Sequence, residues 1–287
     1  MPSKYQYAVV HPGEAHRDEF LTIGLALYSG ELDFNAPVLR KDPNESELCD
    51  PTVLVADVGR RYEPDKGNFD HHQNNDWNEC AFSLYAHHVQ IEGKNARSLF
   101  AGAPWFECTI TADIRGPSGL AKWLGVGNKI PEGLLPPVEK AILHHMSKQD
   151  QVSDFVKEAA MITIAHKVEI ALHLQDRIDW IKDVGKESVV NGIPFIVVPT
   201  SDPFGIAEYR KKFAEHIAVS VTYDTHDPGW SIFRYDDDPR VDFRNLSNDP
   251  RICYVHGNGF LAKTATRCDL DTLKELISLA RVPNKEG

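Results

Sequence analysis

Residues 52–73 read "TVLVADVGRRYEPDKGNFDHHQ". The run Val53–Ala56 is continuously apolar and β-branched, the texture of a strand buried on both faces of a parallel sheet. Asp57 closes that run, and Asp70, His71 and His72 stand side by side shortly after it. Upstream lie a short apolar run, "YQYAVVH" (5–11), and "DEFLTIGLALYSG" (18–30), whose Phe20, Ile23, Leu25 and Leu27 suit a helix packed on a sheet. A further strand candidate, "APVLRKD" (36–42), follows. Strand, helix, strand, strand predicts an α/β fold with a parallel, Rossmann-like sheet. Ligands of such sheets bind at the carboxyl ends of the strands, where His11 and Asp57 fall.

Downstream the pattern is mainly helical: "NECAFSLYAHHVQ" (78–90), "PSGLAKWLG" (117–125), "PPVEKAILHHMSKQDQ" (136–151) and an amphipathic stretch over 154–184. Between the first two, "WFECTITADIRG" (105–116) reads as a strand. After Gly185 the texture changes to "NGIPFIVVPT" (191–200), a helix-like 202–217, an alternating hairpin over 218–236 and a last helix, "DLDTLKELISLARV" (269–282). A chain of 287 residues exceeds the usual size of a single core. Two domains are expected, 1–184 and a smaller α/β one at 185–287.

Hydrophobic residues at 42% and charged ones at 25% are ordinary globular composition. The formal charge of −11 excludes a general nucleic-acid coat, which needs clustered lysine and arginine. It does not exclude a nuclease, because bound divalent cations reverse the local sign of charge. The five cysteines (Cys49, Cys80, Cys108, Cys253, Cys268) are scattered without a CxxC and read as reduced structural thiols. Neither a signal-peptide pattern nor a membrane-spanning run is legible, so a cytoplasmic location and no membrane partner are expected.

The chemistry concentrates in three short motifs: "HPGEAHRDE" (11–19) with His11, His16 and Asp18, "VADVG" (55–59) with Asp57, and "FDHHQ" (69–73) with Asp70, His71 and His72. Imidazole plus carboxylate without thiolate suits manganese, iron, cobalt or zinc rather than calcium. Taken singly, each motif has a plainer explanation. Asp57 would cap a turn, Asp18 a helix, and the pairs His87/His88 and His144/His145 sit in helical patterns where neighbours diverge by about 100°. Three such motifs at the ends of apolar strands in one sheet argue for a shared metal site.

In this order and spacing the motifs resemble the signature of the MYG-type family (melanocyte proliferating gene, also described as metal-dependent protein hydrolases). That family is a branch of the DHH phosphoesterase superfamily, which includes RecJ-like exonucleases and manganese-dependent inorganic pyrophosphatases. "PSGLAKWLG", "KQDQVSD" (148–154) and "ICYVHGNGFLAKT" (252–264) resemble further family segments, so the likeness runs nearly end to end. It implies an N-terminal DHH domain holding two divalent cations, foremost Mn2+ with Zn2+ or Co2+ as substitutes. His11, His16 and Asp18 would be ligands, Asp57 would bridge, and His71 would complete the ligand set of the second metal. Asp70 would orient a histidine, His72 would face the substrate phosphate, and Asp57, Asp70 and His72 would be the catalytic set. For the fourth motif the resemblance favours Asp150, with Asp113 as rival; with Asp150, residues 74–116 would be largely an insertion.

In the C-terminal substrate domain, His256, Gly257 and Gly259 would hold a phosphate or terminal nucleotide, with Arg244, Arg210 and Lys211 as candidate charge partners; a plain glycine turn is the alternative for "VHGNGF", and a solvated helix face is the better reading of "YRKKF" (209–213). Departures from the family pattern are Pro12, Ala15, the run around Phe155, and Ala262, Lys263 and Thr264 after "VHGNGF". The implied activity is that of a metal-dependent phosphodiesterase, a 3′–5′ exonuclease on RNA or short single-stranded oligonucleotides. Two alternatives stand beside it: hydrolysis of a small phosphorylated metabolite such as pyrophosphate or a dinucleotide, and a non-catalytic metal-binding scaffold.

Overall fold

The computed structural model describes residues 3–73, 78–126 and 136–283. The chain divides into two compact units, 1–172 and 173–287. In the first unit, β1 (Tyr7–Val10), α1 (Arg17–Tyr28), β2 (Val38–Arg40), α2 (Glu45–Cys49), β3 (Val53–Ala56), β4 (Tyr62–Glu63) and β5 (Asn68–Phe69) come first. They build a sheet of order β2-β1-β3-β5-β4. The pairs β1–β2, β1–β3 and β3–β5 are parallel, and β4 closes the edge antiparallel to β5.

Alternation along the strands assigns the two faces. Ala8, Val10, Leu54 and Ala56 enter the main core, whereas Val9, Val53 and Val55 pack with Leu48 of α2 on the other side. That both faces are covered explains why β3 reads as an unbroken apolar run. Helix α1 is buried from Asp18 to Leu27. Its Gly24 permits close approach to another helix, since a Cβ there would strike the carbonyl of Ala160.

The unit continues with α3 (Ala81–Ala86), the small hairpin β6 (Gln90–Ile91) and β7 (Lys94–Asn95), α4 (Ala96–Phe100), α5 (Pro104–Trp123) and α6 (Pro137–Met146). The strand expected over 105–116 is helix instead, with a break at Gly116, whose φ is +62°. Phe106, Thr109 and Ile110 are buried at helical spacing, so packing overrode the β propensity of "TITADI". Phe82, Tyr85, Phe100 and Phe106 join the same core as α1. Of the stretch expected as an insertion, residues 74–77 lie outside the described residues.

Helix α7 (Asp154–Val184) begins in the first unit and ends in the second. The second unit holds β8 (Lys186–Val190), β9 (Ile193–Val197), α8 (Ile206–Phe213), β10 (Val219–Tyr223), β11 (Trp230–Arg234), β12 (Ile252–Val255), β13 (Leu261–Thr264) and α9 (Leu270–Leu279). Its sheet runs β12-β13-β11-β10-β9-β8. Only β9 and β10 pair in parallel, around the α8 crossover, and Tyr223 opposite Trp230 closes the expected hairpin. Val219, Val221 and Ile232 pack against Leu273, Leu276 and Ile277 of α9. No helix among the described residues is long and apolar enough to cross a membrane.

Candidate metal centre

Strand order reverses at β1, which has β2 on one side and β3 on the other. The crevice at the carboxyl ends of such a pair is where open α/β sheets place ligands. His11 leaves β1 there and Asp57 leaves β3. The intervening loop turns at Gly13 (φ +84°) and returns to α1, with His16 as N-cap and Asp18 in the first turn. Asp57 adopts φ +60°, a left-handed conformation uncommon for a residue with a side chain. Its N–H donates to the carbonyl of Phe69 at 3.1 Å, so the end of β3 is tied to the end of β5, from which Asp70, His71 and His72 project.

The side chains converge in three groups whose ligand atoms lie within 4.8 Å of one another: His11, His16 and Asp57; Asp18, Asp57, His71 and Asp113; and Asp57, Asp70, His71 and His72. Asp57 belongs to all three. Its oxygens lie near three imidazoles, His71 Nε2 at 3.4 Å, His16 Nδ1 at 3.7 Å and His72 Nδ1 at 3.7 Å. His71 Nε2 also meets Asp113 Oδ2 at 2.9 Å. Asp70 is committed elsewhere: it accepts from the Arg60 N–H at 2.6 Å and the His72 N–H at 3.0 Å, and its Oδ1 lies 2.7 Å from the His72 ring nitrogen. His72 itself is half-exposed, with 49% of its side chain open to solvent.

Both oxygens of Asp18 are buried without a hydrogen-bond partner among the described residues. A carboxylate so placed is costly unless a cation compensates it. The protonation pattern shows the same imbalance. Burial, then the charges of Asp57 and Asp113, pushes Asp18 well above the usual carboxylate range. Burial and Asp57 push Glu19 up to about 8, against the pull of Arg40. Burial opposes charge on His71, but Asp113 and Asp57 win and raise it to about 10. The Asp57 hydrogen bond raises His16. Asp57 alone moves down, to about 2, because His16 and His71 outweigh its burial. Protons are standing in for positive charge, and the donor set, hard carboxylates with borderline imidazoles, fits divalent manganese, zinc or cobalt.

Of the expected ligands, His11, His16, Asp18, Asp57 and His71 come together here, with Asp70 and His72 beside them. Asp150 does not. It is exposed, and its backbone carbonyl accepts from the Arg40 N–H at 2.8 Å, as part of the chain's pairing beside β2. Asp113, the rival candidate, lies in the cluster instead, carried by α5 where a strand is expected from sequence. Two further groups escaped the sequence reading. Glu19 and Arg40 form a buried ion pair of 3.2 Å under the His11–His16 loop. Only Glu19 left a signal, as the third residue after an N-cap position, where a side chain can reach back to the cap N–H.

Arg244, His256, Gly257 and Gly259 all lie in the second unit, at and beside the turn joining β12 to β13. The Gly259 N–H donates to the His256 carbonyl at 2.8 Å, and the Asn258 N–H to His256 Nδ1 at 3.1 Å. Gly259 has φ +70°, and a Cβ there would strike Asp242. Arg244 is already paired with Asp242, its Nε at 3.0 Å from both carboxylate oxygens. Arg210 is likewise paired, with Asp236.

Residues 7–85 match the family described as "MYG1_exonuc: Uncharacterised protein family (UPF0160)". This supports the MYG-type likeness over the stretch that carries His11 through His72. No curated protein matches the chain. A solved structure described as "pGpG-specific phosphodiesterase - PggH from Vibrio cholrae" is similar with a TM-score of 0.31 and 13% identity, over 95% of this chain and 98% of that one.

Proposed function

We propose that the first unit is a two-cation phosphodiesterase centre, acting as a 3′–5′ exonuclease on RNA or short single-stranded oligonucleotides. The observation that carries the reading is Asp57, common to three ligand groups and adjacent to a buried Asp18 whose oxygens have no hydrogen-bond partner among the described residues. His11 and His16 would hold one cation and Asp18, His71 and Asp113 the other, with Asp57 common to both groups. Two divalent cations, when bound, supply Lewis acidity and bring the pKa of water toward neutrality. Asp70 fixes His72 through its ring nitrogen at 2.7 Å and its backbone N–H at 3.0 Å, and the exposed edge of that ring donates to a phosphate oxygen of the substrate. In the second unit, the ring of His256 and the backbone at Gly257 are the groups left to hold a phosphate or terminal nucleotide, since the Gly259 N–H and Arg244 are already engaged by His256 and Asp242. No covalent protein nucleophile is required.

One observation favours a shorter substrate. Arg240, Arg244 and Arg251 each fold back onto the aspartate two residues earlier, so the second unit offers little net positive charge to a long polyanion. The deciding test is digestion of a 5′-labelled single-stranded RNA by metal-stripped protein resupplied with Mn2+, beside Asp57→Ala. A ladder shrinking from the 3′ end, absent in the variant, is expected. Intact RNA with hydrolysis of pyrophosphate or a dinucleotide would move the reading to a small substrate, and inertness toward all of them would refute it.

A further inference from the structure

Arg40, on the strand next to β1, stands opposite Val10, the residue before His11. Its guanidinium is almost fully enclosed, with 1% of the side chain exposed. Nη1 donates to the carbonyl of Gly13 at 3.0 Å and to that of Met146, at the end of α6, at 3.0 Å. Nη2 donates to Glu19 Oε1 at 3.2 Å. That same oxygen accepts from the His16 N–H at 3.1 Å, while Glu19 Oε2 lies 4.0 Å from His11 Nδ1. One planar fork therefore reaches the middle of the 11–16 loop, the acid under both of its histidines, and the helix beside it. The Ala15 N–H adds a second tie to α6, donating to Ser147 Oγ at 2.8 Å.

We infer that the Arg40–Glu19 pair is a positioning device for the His11–His16 half of the metal centre: it sets the spacing of the two imidazoles, whose rings stack at 5.2 Å, so that both face Asp57. The inference rests on the proposed two-cation reading. Lysine cannot replace the arginine, because a single ammonium lacks the rigid fork that reaches separated acceptors. Glutamine at 19 keeps one oxygen as an acceptor but replaces the other with an amide that only donates, so it cannot meet both the His16 N–H and Arg40 on one side and His11 on the other as the carboxyl does. Neither residue touches the reacting atoms, so the effect passes through metal affinity rather than through the chemical step.

The test is Mn2+ titration calorimetry on metal-stripped wild type, Arg40→Lys and Glu19→Gln, with melting temperatures of the metal-free proteins measured alongside. Wild type is expected to bind two ions, and each variant to bind one of them about 10- to 100-fold more weakly, the usual cost of disturbing groups behind metal ligands. Turnover of the variants should recover as Mn2+ is raised. A pair that only braces the fold would lower the metal-free melting temperature and leave both affinities unchanged, and that result overturns the inference, as does misfolding of both variants. If wild type binds no cation, the two-cation reading itself fails; two normal sites in the variants defeat the positioning role alone.

Discussion

His71 Nε2 and Asp113 Oδ2 lie 2.9 Å apart, joining the end of β5 to the middle of α5. The contact brings into the Asp57 cluster a carboxylate from outside the three motifs. Asp113→Asn should therefore reduce metal-dependent turnover by about 100-fold or more, with weakened Mn2+ binding, whereas Asp150→Asn should behave as wild type. Parallel titrations of the two variants decide between them, and a normal Asp113→Asn would remove that residue from the centre.

Asp57→Ala is expected to abolish Mn2+ binding while leaving a folded first unit. Asp57→Asn better suits the φ of +60°, because asparagine tolerates the left-handed region. It should melt above Asp57→Ala in metal-free form by a margin equivalent to about 1 kcal/mol, yet be equally inactive. Circular dichroism melts with a metal-binding assay read both properties.

Asp70→Asn should separate orientation from affinity. The carboxylate holds the Arg60 and His72 backbone N–H groups and the His72 ring, so its loss is expected to cost about 10- to 100-fold in kcat with most metal binding retained. His72→Ala should give a similar loss, and the double variant little more, because both act through one ring. Fully additive losses in that cycle would contradict the arrangement.

Metal-free protein should lose stability as pH rises from about 5 to 8. Glu19, displaced from its ordinary 4.5 to about 8, and His16 and His71, both raised, all bind protons more tightly when folded than unfolded. Stability from such groups is complete below their unfolded pKa values and is lost as pH climbs through the folded ones. Asp57 has the opposite sign, but its window lies below its ordinary 3.8. Saturating Mn2+ should flatten the slope, since the cations replace the protons. Melting temperatures across this range, with and without Mn2+, test it; a metal-free protein that gains stability toward pH 8 would show the cluster to be wired differently.

Gly259→Ala should destabilise the second unit by about 1 to 3 kcal/mol, because the position combines φ +70° with a Cβ that would strike Asp242. Metal stoichiometry should be unchanged.

Much of the first unit was legible in order. The buried apolar runs Ala8–Val10 and Val53–Ala56 follow from local pattern, and the ligand types at His11, Asp57 and His71 follow from chemistry. The stretch 105–116 misled because Thr109, Ile110 and Thr111 carry β propensity, while the burial of Phe106, Thr109 and Ile110 on one helical side outweighs it.

By itself the sequence determined which residue types could hold a cation and that they fall where strands end, since both depend on neighbours along the chain. Tertiary structure decided that Asp113 rather than Asp150 joins them, and that Arg40 reaches Gly13, Glu19 and Met146 at once. Those outcomes depend on how helices pack across the sheet, where a change of helical phase by one residue turns a side chain about 100° away from its target.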